Sequence, residues 1–149
     1  MASESGQQVI VESDFLFGLR KSDLRHHAVI TALEMHRNGR LRITPLSSAA
    51  LEVRAVLYSR GVQSKDIEET FTLMAALLAE YDINDTLPVN ISDVIVAERL
   101  RQNELGLTFF DSLHAAASKR LGLALLSSEG AYRRLGLPTM DLDKLKSDP

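Results

Sequence analysis

Apolar and polar positions follow two rhythms along this chain. Short unbroken apolar runs read as buried strands, and longer stretches with apolar residues every three or four positions read as helices. The first run, residues 8 to 11, carries Val9, Ile10 and Val11 straight into Glu12, Ser13 and Asp14 before the chain turns apolar again at Phe15, Leu16 and Phe17. Carboxylates are seldom buried unless something pairs with them. A hydrophobic run that stops on two of them therefore asks for a reason. Residues 13 to 19 begin a short helix on a Ser or Asp cap. Residues 22 to 38 read as a second helix, with Ser22 as cap, Leu24, Val29, Ile30 and Leu33 as its apolar stripe, and Asn38 and Gly39 as the stop. The segment LRITP, 41 to 45, is the second strand. Pro45 and Ser47 then open a helix whose apolar Leu46, Ala50, Val53 and Leu57 recur at helical spacing up to Gly61.

Ser64 caps the next helix, which runs to about residue 81 through Ile67, Phe71, Met74, Ala75 and Leu78. The loop DINDTLPVNISD holds a third strand at 87 to 89, and Asn90 or Ser92 caps a helix over 93 to 103 that Gly106 ends. Residues 109 to 121 form a helix closed by Gly122, ALLSS is a fourth strand, a short helix spans 129 to 135, and a last strand lies around Thr139 and Met140. Strands separated by one or two helices predict a three-layer α/β/α domain around a central, mainly parallel sheet of four or five strands. The expectation is one domain over residues 1 to 149, with 1 to 7 and 142 to 149 as tails.

Composition narrows the function. The 149 residues are about one domain's worth, and 45% hydrophobic with 25% charged residues is an ordinary globular make-up. A net charge of -3 supplies no global field for a polyanion, so nucleic-acid binding requires a local basic patch or bound cations. The absence of Cys removes disulfides, thiolate metal sites and thiol nucleophiles. MASESGQQ carries no signal-peptide core and no run approaches the ~18 apolar residues of a membrane span. A soluble cytoplasmic protein with no membrane association is expected. Neither a P-loop nor a nucleophile elbow is present, which disfavours a phosphatase or other nucleotide hydrolase.

Ligands of open parallel sheets bind beyond the carboxyl ends of the strands, and four acids fall there. Glu12 follows strand one, Glu52 lies about two turns into the helix after strand two, Asp111 starts the helix after Gly106, and Glu129 follows ALLSS. Glu12, Asp111 and Glu129 each also read as helix N-terminal acids favoured by the macrodipole. Glu52 borders its helix's apolar face, where an unpaired charge is costly; the bland reading is an ion pair with Arg54 or Arg99. His114, three residues beyond Asp111 on the same face, reads first as a packed core histidine and second as a transition-metal partner of Asp111. His26 and His27 read as solvated. Two basic clusters, Arg20, Lys21 and Arg25, and Arg133 and Arg134, are either solvated faces or RNA backbone contacts. Thr44 and Ser128 either hydrogen-bond the acids or cap helices, and Phe109 and Phe110 read as core.

The succession VIVESDFL, ITPLSSAALEVRAVL and GLTFFDSLHAAASKRLGLALLSSEGAYRRLGL resembles a PIN domain, the nuclease fold of VapC-type toxins and of RNA-processing endonucleases. The resemblance runs from Val9 to about Asp141. It implies that Glu12, Glu52, Asp111 and Glu129 are the catalytic and metal-binding acids, with Ser13 and Asp14 at the polar positions that follow the first and Thr44 and Ser128 in support. Glu12 and Glu129 stand where the family most often has Asp, and Asp14 is an alternative ligand at the first position. Clustered carboxylates repel one another unless a cation sits among them, and hard oxygen donors select Mg²⁺ or Mn²⁺. The resemblance thus implies a metal-dependent endoribonuclease with an RNA substrate, a homodimer and an antitoxin protein as partner. The alternative is a catalytically weak PIN-like scaffold that binds RNA or protein.

Overall fold

The computed structural model describes residues 6 to 104 and 106 to 146. Its sheet has four strands, all parallel, β1 (Gln7–Val11), β2 (Leu41–Pro45), β3 (Ala124–Ser127) and β4 (Thr139–Asp141), in the order β2-β1-β3-β4. Val9, Ile10 and Val11 of β1 and Leu125 and Leu126 of β3 are at most 1% exposed, as strands covered on both faces must be. The chain leaves β1 toward β2 on one side and returns to β3 on the other. Such a reversal leaves a crevice at the carboxyl ends of the two central strands. Val11 pairs with Leu126, so Glu12 and Ser127 emerge side by side at that crevice.

Seven helices flank the sheet among the described residues: α1 (Ser13–Phe17), α2 (His26–Arg37), α3 (Ser47–Ser59), α4 (Ser64–Glu80), α5 (Ile91–Asn103), α6 (Phe109–Leu121) and α7 (Ala131–Arg134), followed by a 3₁₀ turn at Leu142–Lys144. Helix α6 is central, with every residue from Ser112 to Ser118 buried. Its small side chains, Ala115, Ala116, Ala117 and Ser118, let α3 and α5 approach closely. Thr108 caps its start by accepting from the Asp111 N–H, and Gly122, at φ 65°, adopts the left-handed conformation that ends it.

Helices α1 and α4 are entered from Glu12 and Gln63 and not from the expected caps Ser13 or Asp14 and Ser64, and four larger details also differ from the sequence expectation. The second helix starts at His26, not Ser22, because the Asp23 carboxylate accepts from the Arg25 N–H at 2.8 Å and holds the preceding residues in turns, leaving Leu24 97% exposed. The strand expected at 87 to 89 is reduced to one bridge between Leu46 and Leu87, because Pro88 has no N–H to extend it. The expected 129 to 135 helix is shortened to Ala131–Arg134. The tails expected at 1 to 7 and 142 to 149 are shortened, since Gln7 pairs with Leu41 in β1 and Leu142 is fully buried; the parts of those expectations that fall on 1 to 5 and 147 to 149 lie outside the described residues.

An ion pair between the buried Asp93 carboxylate and the exposed Arg120 ties α5 to α6. Asp93 Oδ1 accepts from Arg120 Nε at 2.8 Å, and its Oδ2 accepts from Arg120 Nη2 at 3.0 Å and from the Asn90 N–H at 2.8 Å, completing a capping box. Burial pushes the Asp93 carboxyl up, but the Arg120 and Asn90 donors outweigh it and hold it below the ordinary range. The native protein therefore takes up this proton less readily than the unfolded chain. The stabilisation is full above the unfolded value of about 3.9 and is lost as pH falls through the lower native value. Asp93→Ala, which removes both the α5 capping box and the pairing with Arg120, is expected to cost about 1 to 2 kcal/mol in urea unfolding at pH 7. The difference from wild type should shrink as the pH drops below about 3.9.

Candidate metal centre

Three side chains from three elements meet at the crevice. Glu12 follows β1 and is 3% exposed, Glu52 projects from the second turn of α3, and His114, fully buried, comes from α6. His114 Nε2 lies 2.8 Å from Glu52 Oε1 and 3.8 Å from Glu12 Oε2. Its other nitrogen, Nδ1, is 2.8 Å from Ser48 Oγ. Glu52 thus pairs with neither Arg54 nor Arg99. Arg54 instead lies 4.6 Å over the Tyr58 ring, and His114 is the partner.

Around this trio the remaining donors are shared. Tyr132 donates its hydroxyl to Glu12 Oε2 at 2.9 Å and lies 3.5 Å from Asp111 Oδ1, which brings the third acid to the first. Ser127 donates to Glu12 Oε1 at 3.0 Å. Asp14 is drawn to the end of β3: its Oδ2 accepts from the Ser128 N–H at 2.8 Å, from the Ser128 hydroxyl at 2.7 Å and from Ser127 at 3.3 Å. Asp14 Oδ1 is buried and meets no hydrogen-bond partner among the described residues.

The titration behaviour follows from this crowding. Burial, then the neighbouring Asp14 carboxylate, raises the Glu12 carboxyl well above the ordinary range, against the Tyr132 hydroxyl, which favours the charge. Burial also pushes Glu52 up, but hydrogen bonds from His114 and Ser13 overcome it and leave Glu52 below its usual value. Asp111 is raised by burial, with Glu52 and Glu129 adding to it against the Thr108 hydrogen bond. The Tyr132 phenol is raised by burial and by the Glu12 and Asp111 charges, and stays protonated as a donor.

Glu129 stands apart from the trio. It is exposed, accepts from the Ala131 N–H at 3.1 Å as a helix N-terminal acid, and lines with Asp111 a cavity of about 430 Å³. Arg134 lines the same cavity. The other basic residues point to other duties. Arg133 donates to Thr139 and pairs with Asp141, Arg25 pairs with Asp143, Arg20 lines a separate apolar cavity with Leu19 and Leu73, and Lys21 is exposed. Thr44 pairs in register with Ile10, and among the described residues its hydroxyl makes no hydrogen bond to the acids. His26 is not merely solvated, since its Nδ1 lies 2.9 Å from the Gly18 carbonyl.

Tyr132 and Ser127 escape sequence reasoning. Tyr132 sits in a short basic helix with no pattern to distinguish it, and Ser127 is overshadowed by Ser128; only the juxtaposition of β1 and β3 singles them out. The series Ser48, His114 and Glu52 resembles a hydrolase triad in composition. Ser48 is fully buried, however, and presents no nucleophile to a substrate.

Glu12, Glu52 and His114 each offer one ligand atom, all within 4.8 Å of one another. Two carboxylates and an imidazole, with Asp111 beside them and an orphaned Asp14 oxygen nearby, form a donor set that suits a divalent cation. No protein-family model matches the sequence, and no curated protein matches it. Among solved structures, FitAcB from Neisseria gonorrhoeae is similar in fold, with a TM-score of 0.60 at 15% identity over 92% of this chain and 99% of that one.

Proposed function

We propose that the protein is a divalent-metal-dependent endoribonuclease of the PIN type, in which Glu12, Glu52 and Asp111 hold the cation and Glu129 acts from the cavity rim. The observation that carries this reading is the meeting of acids 40 and more residues apart at the carboxyl edge of β1 and β3, where Tyr132 joins the first acid to the third. A bound cation supplies an oriented, acidified water and offsets charge on the phosphorane and leaving oxygen. Glu52, held charged by His114 and Ser13, is the acid ready to ligate at neutral pH. Arg134 is placed at the cavity wall to receive a phosphate of the RNA backbone, which lets a net acidic protein hold a polyanion. Ser128 and Ser127 fix the ends of β1 and β3 together through Asp14. The same reading gives the protein a cytoplasmic place, a homodimeric state and, if it is a toxin rather than an RNA-processing enzyme, an antitoxin that blocks the cleft with basic or aromatic side chains.

The test is cleavage of a structured RNA by the purified protein with Mn²⁺, with Mg²⁺ and with chelator; no cleavage under any condition refutes the proposal. Arg134→Ala is expected to raise KM about five- to tenfold with kcat nearly unchanged, as loss of a substrate phosphate contact should. Steady-state kinetics on a short fluorogenic oligoribonucleotide reads it directly. One observation favours a second reading, the catalytically weak scaffold. Both Glu12 oxygens are already engaged by Ser127 and Tyr132, and its carboxyl is raised toward the neutral form. RNA binding without cleavage in the Mn²⁺ assay would select that reading.

A further inference from the structure

We infer that His114 is a metal ligand through Nε2 beside the carboxylates of the proposed centre, which makes it a site for a first-row transition cation and not a Mg²⁺ site. The inference rests on the metal-dependent reading above and specifies its cofactor.

Geometry carries it. Ligand atoms that neighbour each other around one ion at bonds of about 2.1 Å stand roughly 3 to 4 Å apart. The 3.8 Å separation from Nε2 to the Glu12 oxygen falls in that range, and the 2.8 Å hydrogen bond to Glu52 lies just short of it, so a cation in place of the shared proton needs only a small opening. The separations also leave Nε2 facing two carboxylates, an arrangement that requires either a proton or a cation on that nitrogen.

Ser48 Oγ, 2.8 Å from Nδ1, can accept from an Nδ1–H, which leaves Nε2 free to bind a cation in place of its hydrogen bond to Glu52. A ligating histidine commonly donates its second ring N–H to a neighbour in this way, which fixes the ring and the tautomer. The stacked Phe110 ring, 6.4 Å from the imidazole at an interplanar angle of 29°, further limits its rotation.

Donor chemistry then sets the ion. Mg²⁺ takes oxygen ligands, demands near-ideal octahedral geometry and gives up its waters reluctantly. Imidazole favours Zn²⁺, Fe²⁺ and their neighbours, and affinity for mixed nitrogen and oxygen donors rises from Mn²⁺ toward Zn²⁺. The longer Glu12 side chain fits the same preference, since an ion with relaxed coordination tolerates it better.

The experiment uses the full chain freed of metal. Calorimetric titration with ZnCl₂, MnCl₂ and MgCl₂ should give Zn²⁺ tightest and Mg²⁺ weakest, with about 10²-fold or more between them. Electron spin-echo envelope modulation of the Mn²⁺-loaded wild-type protein should show one directly bound ¹⁴N, which becomes ¹⁵N when the protein is made with ¹⁵N-histidine. His114→Asn should abolish that coupling; if this variant does not fold, the wild-type isotope exchange decides alone. Mn²⁺ bound without nitrogen coupling, or Mg²⁺ bound as tightly as Zn²⁺, overturns the inference while leaving the metal-dependent nuclease in place. Nitrogen-coupled binding without RNA cleavage supports the inference and refutes the nuclease. Failure to bind any of the three ions overturns both.

Discussion

Asp111→Asn is expected to lower metal-dependent RNA cleavage by about 10³-fold while leaving the thermal unfolding midpoint unchanged or slightly higher. The substitution preserves volume and leaves the Asp111 N–H able to donate to Thr108 Oγ1, which keeps the helix cap. What it removes is a negative charge that burial, Glu52 and Glu129 already disfavour. Activity and stability therefore separate at this position. A protein that cleaves at near wild-type rate with Asn at 111 would place the chemistry elsewhere, and one that unfolds would make Asp111 a structural acid. Single-turnover cleavage at saturating Mn²⁺ together with circular-dichroism melting distinguishes these results.

Glu12→Gln is expected to abolish cleavage as well, and in metal-free protein to raise stability by an amount that grows with pH. The Glu12 carboxyl is raised by burial and by Asp14, so the native protein holds its proton more tightly than the unfolded chain does. For such a group the stability is fully present below the unfolded value of about 4.3 and is lost as pH rises through the native value. Gln carries no charge to bury, and its amide still meets the Ser127 and Tyr132 hydroxyls, which can turn to donate or accept. Chemical unfolding with chelator at pH 4 and pH 8 reads the difference. Equal stability of the two proteins at both pH values would mean that Glu12 is not held near neutral. Wild-type protein should instead be the more stable of the two once saturated with Mn²⁺, since only it gains the ligation free energy.

The resemblance to PIN domains and the structure agree on the three-layer architecture and on where the carboxyl edge lies, yet they weight the acids differently. Glu12, Glu52 and Asp111 converge, while Glu129 remains at the rim with its carboxylate on a helix N-terminus. Asp14, an alternative first ligand by sequence, is spent on holding β3 to β1 through Ser127 and Ser128. His114, whose plainest reading is a packed core residue, is fully packed and also the centre of the acidic group. The core reading holds, and the ring edge that faces the crevice meets Glu12 and Glu52, not Asp111, because a helix buried on nearly every side can still turn one ring edge outward.

The local record in the chain determined a good deal. Unbroken apolar runs placed β1 and β3, the Leu46 to Leu57 periodicity placed α3, and Gly122 marked the end of α6, because strand and helix periods and positive-φ turns are properties of neighbours in sequence. An acid after each central strand was legible for the same reason. Which side chains touch was decided only by tertiary structure. The strand order β2-β1-β3-β4 sets Glu12 beside Ser127, 115 residues away, and the packing of α3 against α6 sets Glu52 on His114, 62 residues away. No local pattern encodes these distances, since a side chain's direction on a helix is fixed by its period but the neighbour it meets depends on where the whole helix is laid against the sheet. The proposed cation preference rests on that last step, for it turns on one nitrogen among oxygens.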